Sequence, residues 1–241
     1  MSTIDSKLVL LTCGQDEQAR RLRDNGSRRD ARLAALPSVS LPTTPGKTDV
    51  DPVLADHEPR RLVVLGTDAD LAAVLLRLLR SDRLDVELAH LPTTRSDVAA
   101  LWGMPRGAAA VTLALEGTAR PTPLVRDDAG GVLAGRGEIR GLQGECYCDD
   151  ALVLRGAAPH LVVAAVASGI AVRAGRTGRL PDGTVAPVPP HAPHGRGAAV
   201  GRAVQVGGEL KAVLADGVAH PRGLQRRTWY RHTSDWLLAR P

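Results

Sequence analysis

The sequence predicts an α/β domain built on a parallel sheet, followed by a β-rich, sandwich-like domain. Three observations carry that prediction. An unbroken apolar run, Leu62-Val63-Val64-Leu65, lies between Arg61 and Gly66 and reads as a strand buried on both faces. Apolar residues then recur at Leu71, Val74, Leu75, Leu78 and Leu79, the spacing of an amphipathic helix, before a second apolar segment from Leu84 to Leu91. From Pro121 onward the texture changes to short apolar segments separated by Gly and Asp-Gly turns, the pattern of antiparallel strands.

Taken in order, Lys7 to Thr12 reads as a first buried strand. Gln15 to Leu36 carries Arg20, Arg21, Arg23, Arg28, Arg29 and Arg32 and reads as a basic, weakly amphipathic helix broken at Asn25-Gly26; a solvated face is favoured there over contact with an anionic surface. Residues 37–59 hold Pro37, Pro42, Pro45, Pro52 and Pro59 among Ser, Thr and Gly, so a loop or linker is expected. Ala108 to Glu116 reads as a helix stopped by Gly117. Thr122 to Arg126 with Val132 to Ala134, and Gly137 to Cys148 with Ala151 to Arg155, read as hairpins. Leu161 to Arg173 suits a strand, although Ala164 to Ala167 also suits a helix, and residues 175–201 form a Gly/Pro-rich stretch expected to be a flexible loop. Val204 to Val206, Leu210 to Leu214, Arg227 to His232 and Trp236 to Ala239 complete the β-rich half. Domains at residues 1–120 and 121–241 follow.

Composition narrows the classes. With 44% hydrophobic and 24% charged residues, the 241-residue chain is expected to be a soluble globular protein. No apolar run approaches a bilayer span and no basic, apolar, cleavable leader opens the sequence, so a cytoplasmic location is expected. Three cysteines fit a reducing compartment, and Cys146 and Cys148 are too close for the usual zinc spacing, so buried packing is their expected role. His191 and His194 gain no third ligand at a recognisable spacing, and no metal site is assigned. The net charge of +5 permits an anionic partner without choosing one, and the predominance of arginine over lysine looks like codon bias. Arg226 to His232 could grip phosphates or stack bases, but a core anchor is favoured; with no recognised motif beside the charge, nucleic acid is the last-ranked partner.

The most informative stretch is the turn Gly66-Thr67-Asp68-Ala69-Asp70 at the carboxyl end of the central strand, where open α/β sheets bind ligands. Asp68 or Asp70 can serve simply as a helix N-cap. The order of strand, Gly-x-Asp turn, helix, strand and Pro92-Thr93-Thr94-Arg95-Ser96-Asp97 resembles the catalytic domain of the diacylglycerol kinase-like lipid kinases, relatives of NAD kinase. In that family the first turn reads Gly-Gly-Asp-Gly-Thr and the second Pro-x-Gly-Thr-x-Asn-Asp, and Gln205-Val206-Gly207-Gly208-Glu209 looks like its Gln-x-Asp-Gly-Glu segment. The resemblance implies an active site in a cleft between an α/β and a β-sandwich domain. It implies ATP and Mg²⁺ as cofactors, Asp68 and Glu209 as catalytic residues, and Gly66, Thr67, Thr94 and Asp97 as nucleotide-binding residues.

Departures from the family pattern oppose catalysis. Thr67, Ala69, Thr93 and Arg95 stand where glycines would be, Asp70 replaces a threonine, Ser96 an asparagine, and Gly207 an aspartate. An added acid at a helix N-terminus also opposes a phosphate unless a metal ion intervenes. The expectation is therefore a diacylglycerol kinase-like protein with weakened or lost phosphoryl transfer that binds a nucleotide or a phosphorylated or lipid ligand. Peripheral membrane contact and a homo-oligomeric state are further expectations. An active ATP-dependent lipid or small-molecule kinase is the alternative, and a nucleic-acid-associated basic protein the second.

Overall fold

The structure, a computed structural model, describes residues 7–14, 31–175 and 197–241. It divides into two compact units, Met1–Thr122 with Trp236–Pro241, and Pro123–Asp235. The elements run β1 (Leu8–Cys13), α1 (Ala31–Ala34), β2 (Ser38–Leu41), α2 (Lys47–His57), β3 (Arg61–Gly66), α3 (Asp68–Arg80), β4 (Glu87–Pro92), α4 (Asp97–Leu101) and α5 (Ala108–Glu116). They continue with β5 (Ala119–Asp127), β6 (Val132–Leu133), β7 (Arg136–Cys148), β8 (Ala151–Val166) and β9 (Gly169–Gly175). The last are β10 (Ala198–Gly201), β11 (Ala203–Ala215), β12 (Val218–Ala219) and β13 (Leu224–Ala239).

In the first unit β2, β1, β3 and β4 lie side by side in that order, all parallel, with Leu10 opposite both Ser38 and Val63, and Val63 opposite Ala89. Every residue of β1 and β3 is buried, as their continuous apolar runs require. The end of the chain returns here: Leu238 of β13 pairs in parallel with Leu88 of β4. Buried Arg61 closes the opposite ends of β3 and β4 by donating to Glu87 at 2.7 Å and to the carbonyls of Ala114 and Gly117 at 2.9 and 2.7 Å, the last turn of α5 and its stop. A Cβ on Gly117 would lie 2.4 Å from the Leu113 carbonyl oxygen, so only glycine ends α5 this way.

Residues 37–59 are not a linker. They hold β2 and α2, and the prolines punctuate rather than prevent structure: Pro37 and Pro42 flank the strand and Pro45 precedes the helix. The overlooked signal is Val50, Val53 and Leu54, buried at helical spacing. Bidentate pairing of Arg77 with Asp51, at 3.0 and 2.9 Å, fastens α2 to α3.

The second unit is antiparallel, with strands in the order β10, β9, β8, β7, β11, β13; β12 pairs with β11, and β5 lies beside both β13 and β6. Both expected hairpins are present, Val125 facing Leu133 and Glu138 facing Val162. Ala164 to Ala167 supply no helix, since β8 extends to Val166. The α/β-then-β fold class expected from the sequence is the one observed. Trp229 is buried, with its indole where a Cβ on Gly137 would come within 3.0 Å. Of the basic helix expected over residues 15–36, only Ala31–Ala34 falls among the described residues as helix, and His191 and His194 lie outside them.

Candidate functional site

The site predicted from the sequence lies at the carboxyl ends of β3 and β4. Helix α3 begins after Gly66 with Thr67 as its N-cap, so neither Asp68 nor Asp70 is the cap itself. The Thr67 hydroxyl oxygen accepts from the Asp70 N–H at 3.3 Å, and the Asp70 carboxylate accepts from the Thr67 N–H and hydroxyl, both at 2.8 Å. This reciprocal arrangement satisfies donors that helix starts leave open. The other Asp70 oxygen accepts from the N–H of Thr44 at 2.7 Å, drawing in the loop between β2 and α2. Thr44 sits at φ 47°, a left-handed conformation that threonine adopts only where neighbours enforce it.

Gly66 lies against that carboxylate. A Cβ built on it would meet Asp70 Oδ2 at 2.7 Å and the Cβ of Cys13 at 3.1 Å. The space that glycine opens is thus filled by an aspartate side chain from the same turn. Burial, and then the Asp70 charge, push the Cys13 thiol up to about 12, so this cysteine is protonated packing.

Asp68 forms the second knot. One oxygen accepts from His90 Nε2 at 3.0 Å and from the Ser96 hydroxyl at 2.5 Å; the other accepts from the N–H groups of Asp97 and Val98 at 2.6 and 3.2 Å. The Ser96 oxygen in turn caps α4 by accepting from the Ala99 N–H at 2.9 Å. Burial works to raise the Asp68 pKa, but the His90 hydrogen bond and charge, with the Ser96 and Val98 bonds, outweigh it and hold this carboxyl below the ordinary value. Serine and histidine both donate to the aspartate rather than to one another. The Ser96 hydroxyl is therefore not aimed at the His90 imidazole, as nucleophilic catalysis by this pair would require.

The structure gathers Gly66, Thr67, Asp68 and Asp97 at adjacent corners of the parallel sheet. Thr94 is exposed in the second turn. Glu209 belongs to the other unit, exposed on β11 beside the irregularity at Gly207, and pairs across to Gln143. Sequence reasoning missed His90, Ser96 and Thr44. A detectable signal existed for the first: a histidine inside the run Leu88-Ala89-His90-Leu91 must find a partner, because its strand is almost wholly buried.

No protein-family description matches the chain, and no curated protein does so. Solved structures do match. A diacylglycerol kinase from Bacillus anthracis superposes with a TM-score of 0.65 at 14% identity, covering 100% of this chain and 98% of that one. An NAD kinase from Archaeoglobus fulgidus in complex with ATP superposes with a TM-score of 0.54 at 12% identity, covering 97% and 93%. The chain has the fold of these kinases. Of the two turns after β3 and β4, the first supplies both carboxylates: Asp70 folds back onto its own turn, and Asp68 reaches across to the start of α4.

That arrangement can be tested against a magnesium–nucleotide complex. Each oxygen of Asp68 and of Asp70 already accepts at least one hydrogen bond from the protein, and the hollow beside Gly66 holds the Asp70 side chain. A metal-bound triphosphate at the first turn would have to displace both. The residues at these turns do not fit that group.

Proposed function

We propose that this chain is a diacylglycerol kinase-like protein in which phosphoryl transfer is weakened or lost, and which binds a nucleotide or a phosphorylated or lipid ligand. The observation carrying the first half is the Asp70 carboxylate, which occupies the Gly66 hollow and takes the Thr67 and Thr44 N–H groups. Backbone N–H groups at a glycine-opened helix start are what a phosphate would otherwise use. An internal carboxylate competes for this place without the loss of translational freedom that a free phosphate incurs. The second half is supported by the preserved turn-and-strand framework and by the ATP complex of a structure with the same fold.

The test is direct. Purified protein given Mg-ATP and diacylglycerol vesicles is expected to form no phosphorylated lipid above the protein-free control, while calorimetry with metal-free ATP or with phosphorylated lipid reports binding that Mg²⁺ does not strengthen. Sustained turnover that disappears in Asp68→Ala would overturn the loss of catalysis. Absence of heat with nucleotides, together with absence of binding to phosphorylated lipid, would remove the ligand half.

A further inference from the structure

Several buried or half-buried arginines of the described residues are paired with carboxylates. In the second unit, Arg227 contacts Asp127 and Asp128 at 3.3 and 3.2 Å, and Arg231 contacts Asp235 at 3.0 Å. Arg136 lies 3.8 Å from Glu138, which also takes the more exposed Arg140 at 3.0 Å. Arg126, like Arg173, has no ion pair among the described residues, and Arg126 lies beside an aromatic ring. Among the described residues its guanidinium meets no carboxylate; its Nε is enclosed without a hydrogen-bond partner, as are those of Arg227 and Arg231, whose terminal nitrogens reach carboxylates instead. Enclosing an unpaired cation costs free energy unless something else supplies the missing charge.

What surrounds Arg126 is suited to an anion. The guanidinium carbon stands 5.9 Å from the centre of the Tyr230 ring, a cation–π contact that orients the group and leaves its charge uncompensated. Strand alternation puts Thr228, Tyr230 and His232 on one face of β13, beside β5, which carries Arg126; the buried Trp229 points the other way. Tyr230 and His232 are both half-buried. Burial, and then the Arg126 charge, lower the His232 pKa, so the imidazole sits neutral with a ring N–H to donate.

We propose that Arg126, Tyr230 and His232 form a binding site for a phosphate monoester. The guanidinium supplies charge and a planar fork matched to two phosphate oxygens, and the phenol and imidazole are donors within the same polar patch. The site belongs wholly to the second unit and does not depend on the reading of the β3 and β4 turns. Its chemistry is shared by a free phosphorylated metabolite and by the headgroup of phosphatidic acid.

The experiment uses the full chain. Calorimetry with inorganic phosphate and with glycerol 3-phosphate tests the free monoester, and co-sedimentation with phosphatidylcholine vesicles, with and without phosphatidic acid, tests the headgroup. Saturable binding in the first arm alone assigns a soluble ligand, and phosphatidic-acid-dependent sedimentation assigns the lipid. In either arm Arg126→Gln is expected to weaken binding about tenfold or more, the loss of one charge-assisted fork. Arg155→Gln, an exposed arginine paired with Glu145 on β7, should leave binding unchanged. His232→Gln, which keeps the guanidinium, is measured alongside and should weaken binding severalfold, so a folding defect in Arg126→Gln does not remove the test. No binding in both arms, or binding that survives both Arg126→Gln and His232→Gln, overturns the proposal.

Discussion

The carboxylates of the first unit and Arg126 of the second are opposite solutions to burying a charge. Asp68 and Asp70 are surrounded by donors: Asp68 accepts from four groups and Asp70 from three. Arg126 has no carboxylate partner among the described residues, whereas Arg227 and Arg231, whose Nε atoms are equally enclosed, reach carboxylates through their terminal nitrogens. Satisfied charges hold structure together, and an unsatisfied one marks a place where a ligand has something to contribute. In the first unit, Asp68 and Asp70 tie the ends of β2, β3 and β4 together. In the second, a cation remains available.

The largest effect that would break this contrast lies at Asp68. Asp68→Ala strands His90 Nε2, the Ser96 hydroxyl and two backbone N–H groups in a buried setting, and is expected to cost about 3 kcal/mol of unfolding free energy. Chemical denaturation measures it. The same carboxylate gives a pH signature. Its pKa is lowered in the folded state, so the unfolded chain takes up the proton first; the stabilisation is complete above the unfolded value of about 3.9 and is lost as pH falls through the lower folded value. Asp68→Asn should therefore flatten the acid limb of the stability profile. A variant as stable as the parent at neutral pH, with an unaltered acid limb, would show that the knot carries no weight.

A medium-sized effect sharpens the comparison at Gly66. Gly66→Ala places a methyl 2.7 Å from Asp70 Oδ2 and should destabilise by about 2 kcal/mol through overpacking. Asp70→Ala should cost a similar amount, about 2 kcal/mol, because the Thr44 and Thr67 N–H groups lose their acceptor. The double variant is expected to cost less than the sum, because removing the carboxylate vacates the space the new methyl needs. Strict additivity would mean that Asp70 does not fill the hollow.

How far this was legible beforehand depends on what each signal consists of. The continuous apolar runs of β1 and β3 and the spacing in α3 report burial directly, so their strands and helix were readable. The Gly-x-Asp and Pro-Thr-Thr turns disclosed the kinase fold because turn chemistry is local. Helix α2 was hidden by proline content: its buried apolar positions are only Val50, Val53 and Leu54, and Pro52 sits among them. The knots were not legible, since Asp68 meets His90 and Ser96 across 22 and 28 residues, and only the pairing of β3 with β4 brings them together. Sequence marked Asp70 as an acid opposing phosphate. It could not show that the side chain turns inward and becomes the anion of its own turn.

The smallest expected effect separates a paired arginine from an unpaired one. Arg227→Gln removes the partner of Asp127 and Asp128 from a position 6% exposed, and should destabilise by about 2 kcal/mol. Arg126→Gln removes no ion pair, only the contact with the Tyr230 ring, and should change stability by no more than about 0.5 kcal/mol. Its clearer signature is at His232: with the neighbouring cation gone, one of the two causes holding the imidazole pKa down disappears, and its NMR titration should move to higher pH. If Arg126→Gln proved as costly as Arg227→Gln and left His232 titrating where it did before, Arg126 would be a structural cation like the rest, and the contrast between the units would collapse.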